Sequence, residues 1–260
     1  MIPRRTAVTG RGARAESPPI VIPTPTDTAV ASSATASEIL APNTNRLRVL
    51  DYSLLFSYAI VFNTRRPPFD DVAVRRAIGL AIDRPSIVSG YSFGFGVPAS
   101  GPLPPELSRG PVVAPLYAPG RGRAMLGSSP RSFELLTVGS GEAAMEQMIQ
   151  QQLARIGVTV IIRQVELATF LERVQGGHDF EAAVMGISGD LQLGYLRSLA
   201  DLAGLSVRGQ GRTLVPVFRD SVPVTFLYHA RGVQGMNRRL EGVRMDIRGE
   251  LAGLAEWRLR

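Results

Sequence analysis

"FNTRRPPFDDVAVRRAIGLAIDRPSIV" occupies residues 62–88 and carries more about the fold than any other stretch of the chain. Pro67 and Pro68 fix the backbone and exclude a helix before them. Asp70 or Asp71 can cap the next turn, where a negative charge also suits the helix dipole. Val74, Ala77, Ile78, Ala81 and Ile82 fall at i, i+3, i+4, i+7 and i+8, one apolar face of a helix. Arg75 and Arg76 are placed off that face, in water. Asp83 with Pro85 restarts a second short helix that Gly90 can end. The preceding "SYAIVF" (57–62) is a buried strand, so the segment reads strand, rigid turn, helix, helix.

Working outward, residues 133–186 show the plainest architecture. "FELLTV" is a strand, "GSGE" a turn opening a helix that runs to Ile156, and Gly157 a C-cap. Met145, Met148, Ile149, Leu153 and Ile156 share one face of that helix. "VTVIIRQV" is a second strand, "ATFLERV" a short helix, and "FEAAVMG" a third strand. This βαβαβ order predicts a parallel sheet with right-handed crossovers. "NRLRVLDYSLLFSYAIVFN" (45–63) holds one or two strands, and "VPVTFLY" (222–228) another. Residues 1–19 are polar and Pro- and Arg-containing, and are expected to be a disordered tail.

At 260 residues with 45% apolar content, the chain can bury a sizeable core. It has no cysteine, which excludes disulfides and thiolate chemistry. The net charge of +7 rests on 29 basic residues, all arginine. They are scattered and do not form a stripe with interleaved aromatics, which argues against nucleic-acid binding. No apolar run approaches the ~20 residues of a membrane-spanning helix. The first residues contain no apolar core of a secretory signal, which implies a cytoplasmic protein or a missing true N-terminus.

Enzymatic motifs are absent: there is no G-x-S-x-G, no H-E-x-x-H and no phosphate-binding loop. His178 and His229 are expected at the surface or in turns. The Ser140 turn (139–142) opens a helix and could hold an anion, although a plain βα turn accounts for it. Nothing calls for a cofactor or a metal, and the chain does not read as an enzyme.

Several stretches together resemble the solute-binding proteins of ABC transporters of family 5, the dipeptide, oligopeptide and nickel binders. They are "FNTRRPPFDDVAVRRAIGLAIDR" (62–84), "GVPASGPLPP" (96–105), "MIQQQLARIGVTVIIRQVELATFLERVQGGHDFEAAVMGISGD" (148–190), and "VPVTFLYH" followed by "GV" and a late tryptophan. The resemblance spans most of residues 46–260. It implies an α/β fold: a periplasmic-binding-protein type II-like lobe with a parallel-rich mixed sheet and an incomplete first lobe. It places a partial binding domain, mainly the second lobe, at 20–260. It implies a solute held in a cleft that closes by hinge motion, then passed to permease subunits at a periplasmic or cell-surface location. Ligand contacts are implied at Asp190, Ser188 and Asn63. Asp190 stands where the family has the aspartate of Gly-Trp-x-x-Asp and would pair with a peptide α-ammonium. Ile187 replaces the tryptophan of that motif. The chain is shorter than family members typically are, so a truncated C-terminal portion is expected. The competing expectation is a degenerate single-lobe interaction protein that binds no ligand.

Overall fold

The computed structural model describes residues 47–109, 114, 116–127 and 131–260. The expected tail at 1–19 and the proposed domain start at residue 20 lie outside the described residues. The chain opens with β1 (Leu47–Phe62), then α1 (Val72–Ala81), α2 (Arg84–Tyr91), β2 (Gly96–Pro98) and α3 (Pro119–Leu126). Next come β3 (Arg131–Val138), α4 (Ala144–Ala154), β4 (Val158–Val165), and α5 (Leu167–Leu171), which continues into a wider turn over Glu172–Gly176. β5 (Ala182–Ser188), α6 (Tyr195–Leu202), α7 (Val215–Ser221) and β6 (Val224–Asn237) complete the main body. β7 (Leu240–Glu241) and β8 (Arg258–Leu259) pair separately.

Among the described residues six strands form one mixed sheet in the order β2-β6-β1-β5-β3-β4. β3 runs parallel to β4 and β5, while β1 is antiparallel to both β5 and β6, and β2 to β6. The parallel unit expected over 133–186, with its crossover helix, is thus present. Side-chain alternation sends neighbouring residues to opposite faces. Ile60, Phe62, Leu135, Ala182 and Val184 pack under α1, α2 and α4. Ala59, Val61, Leu136, Ala183, Met185 and Ile187 pack under α5, α6 and α7. The result is three layers, helix on sheet on helix, with the core on both faces of the sheet.

The caps fall where side-chain chemistry puts them. Asp71, not Asp70, accepts the Ala73 N–H at 2.7 Å and opens α1. Asp83 accepts the Ser86 N–H at 3.1 Å and opens α2. Arg75 corrects the sequence reading: it is 4% exposed, not solvated. Its guanidinium donates to the carbonyls of Phe69 (2.6 Å), Asp70 (3.3 Å), Ser221 (3.1 Å) and Val222 (3.1 Å). The last two lie at the C-terminal end of α7, where helix carbonyls have no partner of their own and favour a cation. Arg76, one position on, is exposed as expected.

Candidate functional site

The parallel strands β3, β4 and β5 end at Val138, Val165 and Ser188, so their carboxyl ends share one edge of the sheet. Open α/β sheets place ligand groups at this edge. A cavity of about 660 Å³ opens there, within the size range of small-solute sites. Its lining comes from the β3–α4 loop, the first turn of α4, the ends of β3 and β4, Tyr58 of β1, Tyr91 of α2, and Val184, Met185 and Gly186 of β5.

The loop takes its shape from two left-handed positions, Gly139 (φ 139) and Ala143 (φ 51). Gly139 N–H donates to Val165 O at 3.0 Å, which ties the loop to the end of β4. No side chain caps α4.

One wall of the cavity is aromatic. Tyr58 pairs across from Gly186 in the β1–β5 ladder. A Cβ on Gly186 would lie 2.3 Å from Phe56 Cζ, so glycine there lets the Phe56 ring rest against the backbone of β5. Phe56 meets Tyr58 edge-on at 5.3 Å, Tyr91 of α2 meets Tyr58 edge-on at 6.2 Å, and Tyr228 stacks on Tyr58 at 5.1 Å.

Glu146, 7% exposed, also lines the cavity, from the first turn of α4. Its Oε1 accepts from Thr137 Oγ1 at 2.7 Å. Burial, and secondarily the Glu146 carboxylate, push the Tyr58 hydroxyl up to about 12. Burial raises Tyr91 and Tyr228 further, with Glu146 a minor contributor to each.

The residues named from sequence separate into two places. Ser188 ends β5 and Asp190 follows it, at the same edge of the sheet as the cavity, but neither residue is among those that line it. Ser188 pairs across from Phe56. Asp190 accepts the Gly194 and Tyr195 N–H groups, each at 3.0 Å, and so organises the start of α6. Asn63 follows the other end of β1, beside the amino end of β5. Seven positions separate it from Phe56, about 23 Å at ~3.3 Å per residue. It is 1% exposed, donates to His178 O (2.9 Å) and Phe180 O (3.0 Å), and accepts from Arg65 N–H (3.1 Å). Its amide closes a turn inside the protein and does not join the other two residues.

His178 sits half-buried in a turn at φ 47, as expected. His229 does not lie at the surface: it is 4% exposed in β6, with Nδ1 at 2.8 Å from Ser57 Oγ. Burial pulls its imidazole down to about 4.

Sequence reasoning passed over Tyr58, Tyr91 and Glu146. The available signal was a glutamate one position after Met145, at the edge of an otherwise apolar helix face.

Three comparisons place the chain among known proteins. Residues 26–195 match the model of the bacterial extracellular solute-binding proteins, family 5 Middle. The chain is 33% identical over 146 residues to di/tripeptide-binding protein 2 of Pseudomonas aeruginosa, covering 52% of this chain and 27% of that protein. It is 31% identical over 153 residues to the glutathione-binding protein GsiB of Salmonella typhimurium, covering 56% of this chain and 30% of that one. The solved oligopeptide-binding protein AppA of Bacillus subtilis, in complex with a nonapeptide, superposes with a TM-score of 0.66 at 22% identity. That superposition covers 89% of this chain and 55% of AppA, so the chain spans about half the length of that neighbour. Among the described residues, no helix is long and apolar enough to cross a membrane.

Proposed function

The chain belongs to the bacterial extracellular solute-binding proteins of family 5, and from that premise we propose that it serves as the substrate-binding component of an ABC importer for peptides or similar small solutes. The observation that supports this reading is the coincidence of the family match with a cavity of about 660 Å³ at the carboxyl edge of the sheet. Permease subunits are the proposed partners, and the extracytoplasmic face of the membrane the proposed location. Ser188 and Asp190, on the same edge, are proposed ligand contacts. Each Asp190 oxygen holds one backbone N–H and keeps a lone pair for a further donor such as a peptide ammonium.

Equilibrium binding to the purified chain tests the reading. Titration calorimetry with di-, tri- and pentapeptide pools should show saturable heats for a subset of peptides. No binding of any peptide, or of glutathione, up to about 1 mM would overturn it.

A further inference from the structure

We infer that the cavity at the carboxyl edge of the sheet selects solutes carrying an organic cation, a guanidinium or amine side chain, with Glu146 as its counter-ion and the Tyr58 and Tyr91 rings as its walls. This inference rests on the solute-binding reading above and specifies its substrate class.

The charge distribution is the starting point. The chain carries a net charge of +7 and 29 arginines. Among the described residues no arginine or histidine lines this cavity, whereas Glu142, Glu146 and Glu166 all do. Glu142 and Glu166 are exposed at the rim and solvated. Glu146 is different: it is 7% exposed, and among the described residues its carboxylate forms no ion pair. The Thr137 hydroxyl is its one hydrogen-bond donor among the described residues. A buried carboxylate held by a single neutral donor is costly to keep unless a cation joins it. The cavity supplies the space for that cation beside the carboxylate.

The walls fit the same chemistry. Tyr58 and Tyr91 both line the cavity and their rings meet edge-on at 6.2 Å, while Tyr228 stacks on one face of Tyr58 and leaves the other. Aromatic faces attract guanidinium and ammonium groups, and more strongly when water is excluded. The uncapped start of α4 acts as about half a positive charge on Glu146 in its first turn, which offsets part of the carboxylate's charge and leaves the rest for a cation.

The test compares two ligands of one shape and different charge: the tripeptide Ala-Arg-Ala and its neutral counterpart Ala-citrulline-Ala, titrated into wild type and Glu146→Gln. Wild type should prefer the arginine peptide by about tenfold or more, as a charge-assisted contact in a desolvated site requires. Glu146→Gln keeps the side-chain shape and the Thr137 bond and should reduce that preference to about threefold or less. Equal affinity of wild type for the two peptides overturns the inference and leaves the solute-binding reading standing. Failure of wild type to bind either one, or any peptide in the pools above, overturns both. The wild-type comparison does not depend on the variant folding. Where Glu146→Gln folds by circular dichroism and keeps the full preference, the assignment of the counter-ion is overturned.

Discussion

Replacing Arg75 with methionine isolates the energetic role of a buried cation. Methionine keeps much of the aliphatic stem and removes the guanidinium, leaving the carbonyls of Phe69, Asp70, Ser221 and Val222 without this donor. Ser221 and Val222 are half-exposed, so water can replace the donor there. Phe69 is 0% exposed, and its carbonyl loses a 2.6 Å bond that water cannot restore. A hydrogen bond to a charged group contributes about 1.5–3 kcal/mol, and a buried orphan acceptor costs about 1–3 kcal/mol. Relief from burying the charge, the same burial that lowers the Arg75 pKa, offsets part of this loss. The expected net destabilisation is about 3 kcal/mol, or about 6–12 °C in Tm. Urea unfolding followed by circular dichroism should show a lower midpoint with an unchanged slope. Arg76→Met is the matched control: its exposed side chain donates to Asp220 O at the surface, so its effect should stay within about 0.5 kcal/mol. Equal losses in the two variants, or less than about 1 kcal/mol for Arg75→Met, would refute this reasoning.

Gly186→Ala places a Cβ 2.3 Å from Phe56 Cζ and should cost about 1–3 kcal/mol by overpacking, partly recovered in a Gly186→Ala/Phe56→Leu double variant. No recovery would mean that the ring is not what the methyl group meets. Asp71→Ala should cost about 1 kcal/mol through loss of the α1 cap, and Asp70→Ala less than about 0.5 kcal/mol; chemical denaturation that ranks them the other way would reassign the cap. His229 has a folded pKa of about 4, below its ordinary 6.5, so on acidification the unfolded chain takes up that proton first. Stability should therefore fall by up to about 1.4 kcal/mol per pH unit as pH drops from about 6.5 toward 4, with the full contribution present above 6.5. Urea midpoints at pH 7 and pH 5 should converge more for His229→Gln than for wild type, and an identical pH dependence would remove His229 from the account.

Local chemistry explains what could be read from the chain alone. The caps at Asp71 and Asp83 and the βαβαβ unit depend on residues close in sequence, and the structure contains all of them. Arg75 was misplaced because helical spacing sets it only three positions from Ile78, on the flank of the apolar stripe. What draws it inward is the end of α7, some 146 residues away in sequence. His229 lies in a strand whose residues 224–230 are all buried, so alternation gave no sign of which side chains face water. Asn63 was grouped with Ser188 and Asp190, yet β1 runs antiparallel to β5, which sends Asn63 to the far end of the sheet. No local pattern reports strand direction across 120 residues. The cavity was hidden for the same reason, since Tyr58, Tyr91 and Glu146 come from three elements that only the folded sheet and helices bring together.

The position of β1 in the sheet also has a consequence for synthesis. β1 emerges first among the described strands, yet its two neighbours, β5 and β6, are the last of the main sheet to be made. Phe62 pairs with Ala182, 120 residues downstream, and Val61 pairs with Val224. At ribosomal rates of about 5–20 residues per second, β1 spends about 6–24 s with both of its hydrogen-bonding edges bare. The β3–α4–β4 unit needs only neighbours in sequence and can form while β1 waits. The apolar run Tyr58–Phe62 is therefore open to wrong partners throughout that interval.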